Sequence, residues 1–82
     1  MKRYGGIQRR ELDLLRNELR KHGVNAPTGD DVRLEGPHGV VLSAKYDEDR
    51  ETLTVSVLEK PFWLPARRIW ELVDQAVEHF VG

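Results

Sequence analysis

The chain has 82 residues, of which 39% are hydrophobic and 33% charged, with no cysteine and a formal net charge of −1. This length suits a single core, so we expect residues 1–82 to form one domain. The lack of cysteine excludes disulfide bonds, thiolate metal sites and a cysteine nucleophile, and the near-zero charge excludes a general basic field for nucleic acids. No apolar run is long enough to span a membrane, and the start of the chain lacks the apolar stretch of a signal peptide. We therefore expect a cytoplasmic protein that does not bind membranes.

The first predicted helix runs from Ile7 to His22. Leu12, Leu15 and Leu19 recur at helical spacing within it and share one face. Gly23 follows, at the position where helices commonly end in the left-handed conformation that glycine adopts without strain. Residues 1–22 hold seven basic and three acidic side chains, so we expect one end of the surface to be positive.

Three segments with strand-like alternation follow the helix. Apolar and polar side chains alternate through residues 32–35, 40–46 and 53–58. Between the first two, GPHG predicts a tight turn, with Pro37 at the second position of a type I turn and Gly39 left-handed. Between the second and third, DEDRE predicts a solvated hairpin tip.

The register of these strands follows from which side chains must face inward. A slip of one residue would turn every side chain to the opposite face, so inward residues must pair with inward residues. This condition pairs Leu42 with Val57. The same register places Val41 opposite Leu58 on the outer face, which is otherwise polar.

The last predicted helix runs from Pro65 to Phe80. Ile69, Val73 and Val77 belong to an apolar arc that covers about half of the helix circumference, which predicts contact with both the sheet and the first helix. The element order therefore predicts an α+β fold: a two-layer α-β-β-β-α domain, in which two helices pack on one face of a three-stranded antiparallel meander. We expect the first and third strands at the edges and the second face of the sheet to be open.

The stretch KPFWLP, residues 60–65, places two aromatic side chains just after the third strand. Together with Val41 and Leu58, Phe62 and Trp63 predict an apolar patch on the open sheet face. The sequence leaves a second interpretation open, in which one ring folds inward and covers the end of the core. If exposed, the patch would bind a protein partner or a second copy of the chain. The first hypothesis is therefore a small, non-enzymatic interaction module.

No residue pattern in the chain predicts catalysis, a metal site or a bound cofactor. His22, His38 and His79 are not clustered at the spacing of metal ligands, and DEDRE lacks the glycine and distal glutamate of a calcium loop. No Gly-rich phosphate loop or convergent carboxylate pair is present. We therefore expect no cofactor and no enzymatic activity.

The element order and the turn GPHG resemble the double-stranded-RNA-binding domain, which has a Gly-Pro-x-His stretch between its first two strands. The resemblance implies that His38 contacts one minor groove and that Arg67 and Arg68, early in the last helix, meet the phosphates between grooves. It also implies that the first helix, with Arg9 and Arg16 along one side, contacts the next minor groove. The lysine cluster of that family is absent from this chain, so RNA binding is the second hypothesis.

Overall fold

A four-stranded antiparallel sheet with two helices makes up residues 1–80, the part of the chain that the computed structural model describes. The elements are β1 (Lys2–Tyr4), α1 (Arg9–Lys21), β2 (Asp31–Glu35), a 3-10 turn at Pro37–Gly39, β3 (Val41–Asp47), β4 (Thr52–Glu59) and α2 (Ala66–Phe80). The strand order in the sheet is β1-β4-β3-β2. The α+β class is therefore confirmed, and the last two residues of the expected 1–82 domain lie outside the described residues.

Strand β1 corrects the predicted topology, because it adds a fourth strand to the predicted three-stranded meander, which is present as β2-β3-β4. It pairs antiparallel with β4, with Lys2 opposite Val55 and Tyr4 opposite Leu53. Three residues that include two cations carry no readable alternation, so sequence periodicity could not find this strand. Because β1 pairs with β4 on the side away from β3, the edge strands are β1 and β2 rather than β2 and β4.

Contacts on both sides hold β1 in place. The Lys2 ammonium and the Tyr4 hydroxyl each donate a hydrogen bond to Asp74 Oδ1 on α2, both at 2.6 Å. These bonds hold the pKa of Asp74 below its usual range, and burial and the bond to Asp74 raise the pKa of Tyr4. Further along, the Ile7 amide donates to the Glu51 carbonyl at 2.9 Å, and Ile7 is fully buried.

Both ends of α1 are set by local hydrogen bonds. At the start, the Gln8 amide donates to Glu11 Oε1 at 2.9 Å, and the helix begins two residues later than predicted. At the end, Gly23 takes a left-handed φ of +82° and the Val24 amide donates to the Leu19 carbonyl at 3.0 Å. This is the glycine-terminated helix end that the sequence predicts.

The core lies between one face of the sheet and the two helices. Leu42 of β3 pairs with Leu34 on one side and with Val57 on the other, as the alternation requires. Leu34 and Leu42 form one buried cluster with Leu15 of α1 and Ile69 of α2. Both helices therefore cover the same face of the sheet, as predicted, and the other face is open.

Candidate functional site

Phe62 and Trp63 occupy the two central positions of a turn between β4 and α2. The Leu64 amide donates to the Pro61 carbonyl at 3.1 Å and closes this four-residue turn, which we call the aromatic turn. Phe62 is 96% exposed and Trp63 is 58% exposed, whereas Leu64 packs against the core. The question left open by the sequence is therefore answered: both rings face solvent, and Leu64 takes the inward position.

Leu58 lies at an irregularity in the pairing of β3 with β4. Leu42 pairs with Val57 but Val41 pairs with Glu59, so Leu58 is an extra residue on β4. The predicted pairing of Val41 with Leu58 is therefore wrong. An extra residue of this kind interrupts the alternation of the strand and re-aims its side chain. Leu58 is 49% exposed and lies near the end of β4, where the chain leaves the sheet for the aromatic turn.

Val41 is buried, at 9% exposure, but it is not part of the main core cluster. It is the first residue of β3 and lies directly after the 3-10 turn, at the end of the sheet from which β4 leaves. Other side chains at this end already cover it, so Val41 offers a partner little surface. Leu58, Phe62 and Trp63 remain as the exposed members of the predicted patch, and we call these three the aromatic patch.

His38 connects the turn between β2 and β3 to the aromatic turn. Its ring lies edge-to-face with Trp63, with ring centroids 5.7 Å apart and an interplanar angle of 75°. Its backbone φ is +62°, so the predicted type I turn is wrong, although Gly39 is left-handed at +78° as predicted. Left-handed conformations are costly for residues with side chains and are concentrated at functional sites. The structure thus brings His38 and Trp63, residues of two different hypotheses, onto one surface.

The first turns of α2 extend this surface on the helix side. Trp63, Arg67, Arg68 and Leu72 border one shallow depression. Leu72 is 69% exposed, and the Arg67 guanidinium lies 3.9 Å from the Glu71 carboxylate. Sequence analysis did not single out Leu72, and its exposure beside Trp63 emerges only from the fold. Tryptophan and arginine together are the residue types most enriched at the energetic centres of interfaces.

Arg9 and Arg16, the helical arginines of the RNA-binding hypothesis, are both held by carboxylates. Arg9 donates to Asp30 at 2.6 Å and to Glu48 at 2.9 Å, and these bonds raise the pKa of Arg9 and lower that of Asp30. Arg16 donates to Asp13 at 2.7 Å. Each arginine would have to exchange a protein carboxylate for a phosphate before it could contribute to RNA binding.

A second feature is a cavity of about 310 Å³ between the helices and the sheet, which we call the helix–sheet cavity. Its lining includes Leu15 of α1, Leu42 of β3 and Val73 of α2, together with the exposed Leu72, and the cavity is partly open to solvent. The lining also includes five small residues from several parts of the chain: Ala26, Gly29, Gly36, Ala44 and Ala76. Only the fold brings these five together, so no local sequence signal could reveal the cavity.

The described residues show neither a metal cluster nor a membrane-spanning helix. His22 lies 3.2 Å from Glu18, one helical turn earlier, but no three His, Asp or Glu side chains within residues 1–80 are placed to hold a metal ion. Neither helix in that range is long and apolar enough to cross a bilayer. No protein-family model matches the chain, and no curated protein or solved structure matches it significantly.

Proposed function

We propose that this protein is a small, non-enzymatic interaction module that pairs with a second copy of itself through the aromatic patch. The observation that carries the proposal is that a closed turn holds Phe62 and Trp63 in solvent, with Leu58 exposed at the same end of the sheet. Exposed aromatic side chains next to other apolar surface mark interfaces. Pro61 and Pro65 flank the rings and restrict the backbone, so little conformational entropy is lost when the rings become buried.

Charge supports a second copy of the chain as the partner. The net charge is −1, so two copies repel each other only weakly. Both signs are present beside the patch, with Arg67 and Arg68 next to Glu71 on the surface of α2. A two-fold axis places each residue of the patch against the same patch of the other copy, so a surface with both signs can be complementary to itself.

The size of a stable interface shows which residues must join the two rings. A specific dimer buries roughly 600 to 1,000 Å² on each partner, against a total surface of 5517 Å² for the chain. Two aromatic side chains supply at most roughly 300 to 500 Å² of this. Further surface must therefore become buried in the dimer, and we expect the exposed Leu58 and Leu72 to supply part of it.

The test is the solution mass by light scattering over a concentration series, at low and at moderate salt. We expect a dimer that persists at moderate salt and that Trp63→Ala weakens by roughly thirty-fold or more, as removal of a buried tryptophan anchor does. Leu58→Ala and Leu14→Ala form a matched pair, because the two leucines are 49% and 48% exposed but lie on different elements. Only Leu58→Ala should weaken the dimer.

Two results would overturn self-association through this patch. One is a monomer at all concentrations, and the other is a dimer that Trp63→Ala leaves intact while the variant stays folded by circular dichroism. A monomer would shift attention to a different protein as the partner.

Double-stranded RNA binding is retained as the second hypothesis on one observation. His38, Arg67 and Arg68 are exposed. All three lie near Trp63, because the His38 ring contacts the Trp63 ring and both arginines border the same depression as Trp63. Because two arginines neutralise about two phosphates, the affinity should fall with a log–log salt slope of only about −2. Changing Arg67 and Arg68 to glutamate should abolish binding, and an unchanged affinity would remove the hypothesis.

A further inference from the structure

We propose that the helix–sheet cavity, whose lining contains none of the three residues of the aromatic patch, is a binding site for one uncharged, apolar small molecule. Its volume of about 310 Å³ lies at the lower end of the range of small-molecule sites, which are concave and mostly apolar. The floor is formed by β2, β3 and β4, and the walls by α1 and α2. Connecting segments complete the lining, with Pro27 between α1 and β2, Pro37 in the turn before β3 and Leu64 in the aromatic turn.

The electrostatics of the lining select an uncharged ligand. The side chains that can carry charge in the lining are those of Arg16, Asp30 and His38. Arg16 is bonded to Asp13 and to the Gly29 carbonyl, and Asp30 is bonded to Arg9. His38 lies with its ring against Trp63.

The charges of Arg16 and Asp30 are thus already paired within the protein. An ionic ligand would lose its hydration without gaining a partner, which is strongly unfavourable. Within residues 1–80, no buried side-chain nitrogen or oxygen lacks a hydrogen-bond partner, so the buried part of the site offers no free polar anchor. The class of ligand that fits is therefore a neutral hydrocarbon or aromatic molecule.

The size of the cavity argues for a small molecule over a docked helix. One turn of a helix, roughly 10 Å across and 5.4 Å long, occupies about 420 Å³, which exceeds the cavity. A partner helix could insert only separate side chains. A small molecule can instead fill the whole space between Ala44 on the sheet and Ala76 on α2, which both belong to the lining.

Two matched dyes test the proposal on the whole chain. N-phenyl-1-naphthylamine is neutral, and 1-anilinonaphthalene-8-sulfonate carries nearly the same rings with one negative charge. In fluorescence titrations, we expect the neutral dye to bind one per chain, at least tenfold more tightly than the anionic dye, and with no dependence on salt. Equal or tighter binding of the anionic dye would overturn the assignment.

Variants place the dye in the cavity. Ala76→Leu fills the cavity and should weaken binding of the neutral dye at least tenfold, whereas Ala66→Leu makes the same change on α2 outside the lining and should not. The double variant Phe62→Ala/Trp63→Ala should retain binding. Loss of binding in that double variant but not in Ala76→Leu would place the dye on the aromatic turn and refute the proposal.

A thermal measurement guards against a variant that fails to fold. The neutral dye should raise the melting temperature of the unmodified chain and of Ala66→Leu, because it binds only the folded state. It should not raise that of Ala76→Leu. If the dye fails to stabilise the unmodified chain at saturating concentration, the cavity is not its binding site.

Discussion

Replacing Tyr46 by phenylalanine should lower the free energy of unfolding by about 1 to 3 kcal/mol, the cost of leaving a buried acceptor without a donor. The Tyr46 hydroxyl donates to the Ile7 carbonyl at 2.6 Å. Tyr46 is buried and Ile7 has no exposed surface, so water cannot replace the lost donor without opening the core. This bond joins β3 to the segment that connects β1 with α1.

The substitution isolates the hydrogen bond from packing. Phenylalanine keeps the ring, including its position 5.1 Å from the Arg9 guanidinium, and creates no large cavity. In a domain of this size, 1 kcal/mol shifts the melting temperature by about 4 to 8 °C. We therefore expect the melting temperature to fall by roughly 10 °C for a loss near 2 kcal/mol.

Urea unfolding monitored by circular dichroism measures this loss, with an unchanged slope m showing that the unfolded state is unaffected. Tyr4→Phe is the matched control. Its hydroxyl donates to Asp74, which is partly exposed and also accepts from Lys2, so the loss should be smaller. If Tyr46→Phe lowers the free energy of unfolding by less than Tyr4→Phe does, the hydrogen bond to Ile7 does not anchor the segment between β1 and α1.

Two further changes test the remaining anchors of the fold. The pKa of Asp74 is lowered on folding, chiefly by hydrogen bonds from Lys2 and Tyr4. The ionised carboxylate therefore stabilises the folded state above the unfolded pKa near 4, and this stabilisation is lost as the pH falls through the folded pKa. Asp74→Asn should therefore be less stable than the unmodified chain at pH 6, and in urea unfolding the difference should disappear as the pH falls through the folded pKa of Asp74. Asp49→Asn should show no such difference, and a constant difference at all pH values would contradict this linkage. Gly23→Ala should lower the free energy of unfolding by about 1 kcal/mol, because φ is +82° at that position. Gly5→Ala, at a position without positive φ, should leave the free energy of unfolding unchanged. Equal melting temperatures of the two variants would show that Gly23 is not needed for its conformation.

The position of the two aromatic rings shows how far local sequence reasoning reaches. Prolines on both sides and the change from strand to helix pattern predicted that Phe62 and Trp63 lie in a connection at the end of the sheet. Their direction depended on which residue of the turn faces the core, and Leu64 takes that position. Alternation could not decide this, because a turn has no fixed period.

Leu58 shows the opposite case, in which the sequence pattern was clear but the structure departs from it. Strict alternation puts Leu58 opposite Val41, yet the irregularity in β4 pairs Val41 with Glu59. Bulges arise from the fit of two strands to each other and to the turns at their ends. They leave no mark in a single strand read by itself.

The sequence by itself determined the α+β class, both helices, the end of α1 at Gly23, and the pairing of Leu42 with Val57, because each depends on local periodicity or on one special residue. Tertiary structure decided the features that need distant residues to meet. Strand β1 is held by Asp74, some seventy positions away along the chain, and Arg9 is held by Asp30 and Glu48. The contact of His38 with Trp63 and the helix–sheet cavity likewise depend on packing between elements, which no local pattern records.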